Sequence, residues 1–173
     1  MKKILIVLIL MVATMFAEGF VIGGELGYGK INAEASYNGN TATADTKYTS
    51  FAVRAGYEQD NMRLLGYINS DKYKEDMLVV GEGNAISYGV EFDLVSNMGL
   101  YAGVLLGTGS KDFIVADVDF NEYGVRGGYI YELSNSMQFE TGVQYKQRDY
   151  DSYEGIDMQD DLIGLYVGIN FML

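Results

Sequence analysis

The side chains that could do chemistry in this sequence are carboxylates, lysines, arginines and tyrosines, because the chain contains no His and no Cys. Catalysis by Ser-His-Asp or Cys-His groups, CxxC redox chemistry, and zinc or haem sites with His or Cys ligands are therefore excluded. Twelve basic residues against 24 acidic ones give a net charge of −12, which repels nucleic acid. What remains is the chemistry of charged groups held close together.

Charged residues recur on one face of segments in which every second residue is apolar, where they alternate with Gly, Ser and Gln. This face carries Glu25, Arg54, Glu91, Asp93, Glu122, Arg126, Glu132, Glu140 and Lys146. In a confined interior such charges must be paired or hydrated. We expect Arg54 and Arg126 to neutralise the glutamates of a polar network made of Glu25, Arg54, Glu91, Glu122, Arg126 and Glu140. The alternative is a narrow ion path gated by the same pairs.

Three other segments carry weaker signals. Asp117, Asp119 and Asn121 have the spacing of a calcium loop, but Glu122 stands where that loop needs Gly. The acidic and aromatic segment 149–160 is expected to be a solvated surface, with divalent-bridged contact to lipopolysaccharide or binding of a surface ligand as alternatives. Met77-Leu78-Val79-Val80 is an apolar patch in a polar segment. No catalytic residue, metal ligand or cofactor is predicted.

The element that must position these charges is the β-strand. Apolar residues recur at every second position in eight runs, which is the period of a strand and not of a helix. The absence of Pro agrees with strands whose ladder hydrogen bonds are all needed. The apolar runs lie at residues 20–28, 49–57, 62–68, 86–94, 100–106, 123–133, 137–145 and 163–173.

The connections predicted between the strands alternate in length. Segments 58–61, 95–99 and 134–136 are short and rich in Asn, Asp, Ser and Gly, as in hairpin turns. Segments 36–47, 69–84, 108–119 and 147–160 are longer and polar, which predicts four long loops at the other end of the sheet. Pairing across the short turns is predicted to join Tyr57 with Met62, Leu94 with Leu100, and Leu133 with Met137.

The size of the side chains decides which face of the closed sheet is inside. An eight-stranded barrel has an interior that ordinary side chains just fill, so it cannot hold several large apolar groups from every strand. The face with many Gly and Ser residues is therefore predicted to be inside, and the apolar face outside. Such an exterior suits a bilayer and not water. Phe20, Tyr28, Tyr57 and several other aromatics lie near strand ends, as in the aromatic girdles of membrane barrels.

The N-terminus resembles a secretory signal. Two lysines, Lys2 and Lys3, precede an apolar run from Ile4 to Val12 that is shorter than the roughly 20 residues of a spanning helix. We expect residues 1–17 to be a Sec signal peptide cleaved after Ala17, and residues 18–173 to be the barrel domain. A second small-x-small site, Ala17-Glu18-Gly19, lies two residues further on.

The C-terminal segment Tyr166-Val167-Gly168-Ile169-Asn170-Phe171-Met172-Leu173 is similar to the terminal β-signal of bacterial outer-membrane proteins. Its assembly residues would be Tyr166, Gly168, Phe171 and Leu173, although Leu173 replaces the more usual terminal Phe. Together with the strands and turns, the chain resembles the small outer-membrane β-barrels of the OmpA/OmpX type, a porin-like family. The resemblance implies an all-β, eight-stranded antiparallel up-and-down transmembrane barrel in the outer membrane of a Gram-negative bacterium.

The function expected from these features is structural or interactive: a monomeric surface barrel that presents four long extracellular loops over a polar interior filled by side chains. The alternatives are a narrow porin-like channel and a soluble ligand-binding barrel with the opposite facing. An enzyme is not expected, because the enzymatic barrels of similar architecture use histidine. The expected partners are outer-membrane lipid and lipopolysaccharide, the barrel-assembly machinery during insertion, and a surface ligand held by the loops.

The predicted cleavage site can be tested by intact-mass measurement of the protein purified from membranes. We expect a mass that corresponds to a chain beginning at Glu18. A mass that retains residues 1–17 would contradict the signal-peptide assignment.

Overall fold

The computed structural model describes residues 19–74, 83–112, 117–152 and 156–173, and almost all of them lie in eight β-strands. Each strand pairs antiparallel with the next, and β1 also pairs with β8, so that the sheet closes into a barrel. The predicted all-β, eight-stranded up-and-down barrel is confirmed. The strands are β1 (Phe20–Tyr37), β2 (Asn40–Gln59), β3 (Met62–Lys74), β4 (Asn84–Val95), β5 (Leu100–Asp112), β6 (Asp117–Ser134), β7 (Met137–Tyr150) and β8 (Asp157–Met172). Across these described ranges, no helix is long and apolar enough to cross a membrane.

A belt of exposed apolar side chains surrounds the half of the barrel that carries the short turns. On β8, for example, Ile163, Leu165 and Val167 point outward, while Leu162 and Tyr166 are buried inside. The two sets alternate because successive side chains of a strand leave opposite faces of the sheet. Each of the eight strands contributes exposed apolar side chains to this belt.

The height of the belt matches the hydrocarbon thickness of a membrane. On β1 the belt runs from Phe20 to Tyr28, a segment that rises about 27 Å along the strand. At a strand tilt of about 40° this segment spans roughly 21 Å along the barrel axis. Outer-membrane barrels carry an apolar band about 25 Å tall.

Beyond the belt the strands continue, and the polarity of their two faces reverses. This part of the barrel, at the end opposite the short turns, is called the rim. Its outward side chains include Lys30, Asp45, Asp119 and Asp149, all of them exposed. Its inward side chains form a buried apolar cluster of Ile31, Tyr48, Tyr73, Ala85, Val118, Phe120, Tyr150 and Leu162. The rim is therefore a small water-facing barrel with an apolar core, continuous with a lipid-facing barrel below it.

The rim corrects the prediction of four long loops. The segment 36–47 is not a loop, because β1 and β2 pair without a break as far as Tyr37 and Asn40. The two-residue turn between them is Asn38-Gly39, and both residues have positive φ, 50° and 80°. Asn-Gly is the sequence that favours this tight hairpin turn. The other three predicted loops also lose residues to strands, since β3 reaches Lys74 and β7 reaches Tyr150.

The predicted pairing across the short turns is wrong in detail. Tyr57 pairs with Leu64, and Leu94 pairs with Ala102. Both registers differ from the prediction by two residues, which leaves each side chain on its predicted face. At the third turn Ser134 pairs with Met137, because a bulge between Glu132 and Ser134 removes Leu133 from the ladder.

Inward glycines provide space for the charged side chains of the interior. Gly103 on β5 pairs with Asp93 on β4, and a Cβ added to Gly103 would meet the Asp93 carboxylate and the Phe92 carbonyl. Gly66 on β3 faces outward, where the nearest atom to an added Cβ would be a carbonyl oxygen 3.7 Å away. The two glycines thus have the same strand conformation but very different surroundings.

The pair gives a matched test of the inward face. We expect Gly103→Ala to lower the free energy of unfolding by about 1–3 kcal/mol, because the added methyl overpacks the interior. Gly66→Ala should be neutral or stabilising by about 0.5–1 kcal/mol, since alanine restricts the unfolded chain. Urea unfolding in detergent, followed by gel mobility, measures both. Equal midpoints for the two variants would contradict the assignment of the faces.

Candidate functional site

The interior of the belt holds a cluster of charged and polar side chains that draws on all eight strands. Each member occupies an inward position because it stands next to outward apolar residues in the alternation. This central cluster consists of Glu25 of β1, Arg54 of β2, Arg63 of β3, Glu91 and Asp93 of β4, Tyr101 of β5, Arg126 of β6, Glu140 of β7, and Tyr166 and Asn170 of β8. All of them are buried, none with more than 5% of its surface exposed.

Glu140 is the hub of the central cluster. Its carboxylate lies 3.2 Å from guanidinium nitrogens of Arg54, 2.8 Å from Arg63 Nη1 and 2.7 Å from Arg126 Nη2. The Tyr101 hydroxyl donates to Glu140 Oε1 at 2.7 Å, and the Asn170 amide donates to Oε2 at 2.9 Å. One carboxylate thus joins five strands to β7 across the barrel.

The other acids of the cluster complete the partners of the three arginines. Arg126 Nη2 lies 2.9 Å from Glu25 and its Nη1 lies 2.7 Å from Glu91. Arg63 donates from Nε and Nη2 to Asp93 Oδ2 at 2.9 and 2.7 Å. The Arg126 guanidinium also stacks 4.4 Å from the centre of the Tyr166 ring.

The charge of the central cluster is nearly balanced. Four carboxylates, those of Glu25, Glu91, Asp93 and Glu140, face three guanidinium groups. Burying an ion costs several kcal/mol, and only close pairing with hydrogen bonds offsets this cost. The cluster is therefore stable as a set, and removing one member takes a charge-assisted hydrogen bond or ion pair from each of its buried partners.

A second cluster, the upper cluster, lies between the central cluster and the rim. Arg148 Nε donates to Glu122 at 2.6 Å, and its other nitrogens bond the Tyr73 hydroxyl and the Asp71 carboxylate. Glu122 also accepts from the Tyr67 hydroxyl at 2.9 Å, and Lys146 lies 3.6 Å away. Two acids and two bases make this cluster electrically neutral.

The described side chains nearly fill the interior between the two clusters. The cavity left there has a volume of about 10 Å³, room for about one water molecule. Inside the rim, Lys111 forms an ion pair with Asp160 at 2.8 Å and stacks on the Tyr73 ring at 4.6 Å. Burial raises the pKa of the Tyr73 and Tyr150 phenols above the ordinary value, so both remain neutral inside the rim.

The structure divides the residues predicted for the polar network between the two clusters. Glu25, Arg54, Glu91, Arg126 and Glu140 come together in the central cluster. Glu122 does not pair with Arg54 or Arg126 as expected, because it lies nearer the rim and binds Arg148 and Lys146. Glu132, also predicted to face inward, is exposed at the end of the barrel that carries the short turns.

Several charged residues of the interior were not predicted. Arg63 was missed although the signal was present, because it stands between the outward Met62 and Leu64 and the alternation of β3 therefore points it inward. Asp71, Arg148 and Asp160 lie in segments that were predicted to be loops, and their burial follows from strands that extend into the rim. A polar segment that keeps a period of two is the signal that could have revealed them.

The remaining predicted features have different outcomes. Asp117 and Asp119 are exposed on the outer face of β6, and the described ranges contain no group of three or more acidic side chains that could hold a metal ion. The apolar patch at residues 77–80 lies outside the described ranges.

Of the proposed assembly residues at the C-terminus, Tyr166 and Gly168 face the interior, whereas Phe171 and Leu173 are exposed at the end of β8.

Comparison with known proteins supports the fold. No protein family model matches the chain, and no curated protein sequence is similar to it. Among solved structures, neisserial surface protein A (NspA) of Neisseria is similar with a TM-score of 0.54 and 19% identity, over 90% of this chain and 97% of that one. This similarity establishes the barrel fold and, at such low identity, nothing more.

Two further solved structures match with lower scores. Ail, the attachment invasion locus protein of Yersinia pestis, has 12% identity and a TM-score of 0.41, over 87% of this chain and 99% of that one. The outer-membrane protease OmpT of Escherichia coli has 8% identity and a TM-score of 0.46, over 91% and 97%. Neither is similar enough to support an inference about function.

Glu140 and Glu132 allow a matched test of the hub. We expect Glu140→Gln to lower the free energy of unfolding by about 3–5 kcal/mol, because three buried arginines lose a shared counter-charge. Glu132→Gln removes the same charge from an exposed site and should change stability by less than about 0.5 kcal/mol. Urea unfolding midpoints measure both variants. Similar midpoints would show that the central cluster does not depend on Glu140.

Proposed function

We propose that the protein is an integral outer-membrane barrel with a structural or surface-interaction role and no catalytic activity. The observation that carries the proposal is the closed apolar belt of about 21 Å around an interior that holds buried ion pairs. In water such a belt would be a very large exposed apolar patch, whereas a bilayer requires it. The fold shared with a protein named as a neisserial surface protein is consistent with this role.

The orientation proposed for the barrel follows from its two ends. The rim projects on the side away from the short turns and carries most of the exposed acidic residues, so it faces the cell exterior. Tyr123 and Tyr145 mark its lower boundary, because each ring lies in the belt while its hydroxyl donates to Asp149 or Asp161 above it. Amphipathic rings of this kind are favoured at a membrane interface. The rim, rather than four long loops, is then the main surface for contact with a ligand.

The narrow channel is the second candidate function. The feature of the described residues that favours it is the cavity of about 10 Å³ between the clusters, where Glu25, Glu91, Glu122 and Lys146 meet. Conduction would require the ion pairs within the central cluster and within the upper cluster to break. Several charge-assisted hydrogen bonds hold each cluster together. We therefore propose that the resting barrel does not conduct.

Location can be tested by membrane fractionation together with heat-modifiable gel mobility. We expect the protein in the outer-membrane fraction, with a faster unboiled band that shifts on boiling because the closed barrel resists detergent. Recovery in the soluble fraction without detergent would contradict the membrane proposal and favour a soluble barrel.

Conduction can be tested in planar bilayers with the refolded wild type and with Arg126→Ala. We expect no discrete openings from the wild type at moderate voltages. The variant should show openings only if the loss of Arg126 breaks the remaining ion pairs of the central cluster. Reproducible wild-type openings whose size changes in Arg126→Ala would establish the channel instead.

A further inference from the structure

The basic residues of the barrel are sorted into two places. After the N-terminal Lys2 and Lys3, the chain has ten lysines and arginines. Six of them are buried in the interior: Arg54, Arg63, Lys111, Arg126, Lys146 and Arg148. The tenth, Lys74, is the last residue of β3 and pairs with Lys47 in the strand ladder. The exposed basic side chains that the structure describes all lie on the outer face of β1–β3, and these are Lys30, Lys47 and Lys72. We call these three residues the lysine row.

The lysine row brings like charges into direct opposition. Lys30 pairs with Lys47 across β1 and β2, and Lys72 is opposite Thr49, the residue two positions from Lys47. Residues directly opposite in a sheet have Cβ atoms about 5 Å apart, and like charges placed so are destabilising. None of the three lysines forms an ion pair with another described residue. An anion from outside the protein would therefore relieve the repulsion between these lysines.

The height of the row on the barrel indicates where this anion lies. Lys30 follows Tyr28, the last belt residue of β1, at the next outward position. Lys47 and Lys72 stand two outward positions above Phe51 and Ile68, the last belt residues of β2 and β3. A bilayer that fills the belt would place its headgroups at this level.

The opposite side of the rim has the opposite charge. In a ring of eight strands β6 is diametrically opposite β2. The outer face of β5–β7 at rim height carries four exposed aspartates and no described base: Asp112, Asp117, Asp119 and Asp149. This side repels anionic headgroups, whereas on β1 and β2 the exposed acids Glu34 and Asp45 lie above the lysine row.

We propose that the lysine row binds the phosphate groups of an outer-leaflet lipid, held against β1–β3 and not against β5–β7. The proposal rests on the membrane location proposed above. Lysine suits this task as a flexible point charge that reaches phosphates in several geometries, and each lysine near an anionic lipid surface contributes roughly fivefold in affinity. A lipid with two phosphates can contact all three lysines at once.

Binding can be measured by native mass spectrometry of the refolded protein in non-ionic detergent, titrated with bisphosphorylated lipid A. We expect the wild type to retain lipid A and to prefer it over the dephosphorylated form, with an affinity that falls as salt is added. The triple variant Lys30→Gln/Lys47→Gln/Lys72→Gln should bind at least about tenfold more weakly. Arginine at the same three positions should keep the affinity within about threefold, because the charge is retained.

A control variant changes net charge by the same amount on the opposite side. Ser110→Glu/Asn121→Glu/Gln147→Glu also adds three negative units, but on β5–β7, and should bind lipid A within about threefold of the wild type. Equal affinity of the glutamine variant and the wild type, or no preference for the phosphorylated lipid, would overturn the proposal. The proposal would also be overturned if the wild type formed a dimer in the absence of lipid and the glutamine variant did not. The lysine row would then bind the acidic side of a second copy.

The unfolding midpoint separates this proposal from the membrane proposal. Added lipid A should raise the midpoint of the wild type and leave that of the glutamine variant unchanged. In detergent alone the glutamine variant should be at least as stable as the wild type, because the opposed lysines are gone. A wild type that fails to refold in detergent contradicts the membrane proposal, whereas refolding without any lipid A effect contradicts the lysine row alone.

Discussion

The convergence of three arginines on the Glu140 carboxylate is the interaction on which the rest of the barrel depends. An eight-stranded barrel has an interior only as wide as the side chains that fill it, and the charged side chains inside the belt are buried. Charges buried there must meet partners from across the barrel, and Glu140 meets Arg54, Arg63 and Arg126 from three other strands. Inward glycines such as Gly103 follow from the same constraint, because they leave room for these groups beside the wall.

The second organising feature is the reversal of polarity at the top of the belt. The period of two continues along the strands through this level. Outward residues change from apolar to charged, and inward residues change from mainly polar to an apolar cluster around the Lys111–Asp160 ion pair. The reversal follows the surroundings of each face: lipid outside and ion pairs inside the belt, water outside and an apolar core inside the rim. One sheet thus forms a membrane barrel and a water-facing barrel joined end to end.

This organisation explains how a chain of net charge −12 distributes its few bases. Most of them neutralise buried carboxylates, where an unpaired acid would be costly. The exposed bases whose side chains the structure describes are gathered on β1–β3 at the level expected for headgroups, and the outer face of β5–β7 at rim height carries exposed aspartates and no described base. The barrel therefore presents different surfaces in different directions within the membrane plane, which an evenly charged scaffold would not do.

The sequence alone predicted the class of fold, the number of strands and the face on which each belt residue lies. These features depend on the local pleat, so a period of two and the sizes of the side chains are sufficient to predict them. It also placed Glu25, Arg54 and Glu140 inside the barrel. It did not predict that Glu122 belongs with Arg148, or that Asp71 and Asp160 are buried. The strand ends, the registers and the partners of each charge emerge in the folded barrel, because these depend on how eight strands close into a ring and bring distant residues to the same height.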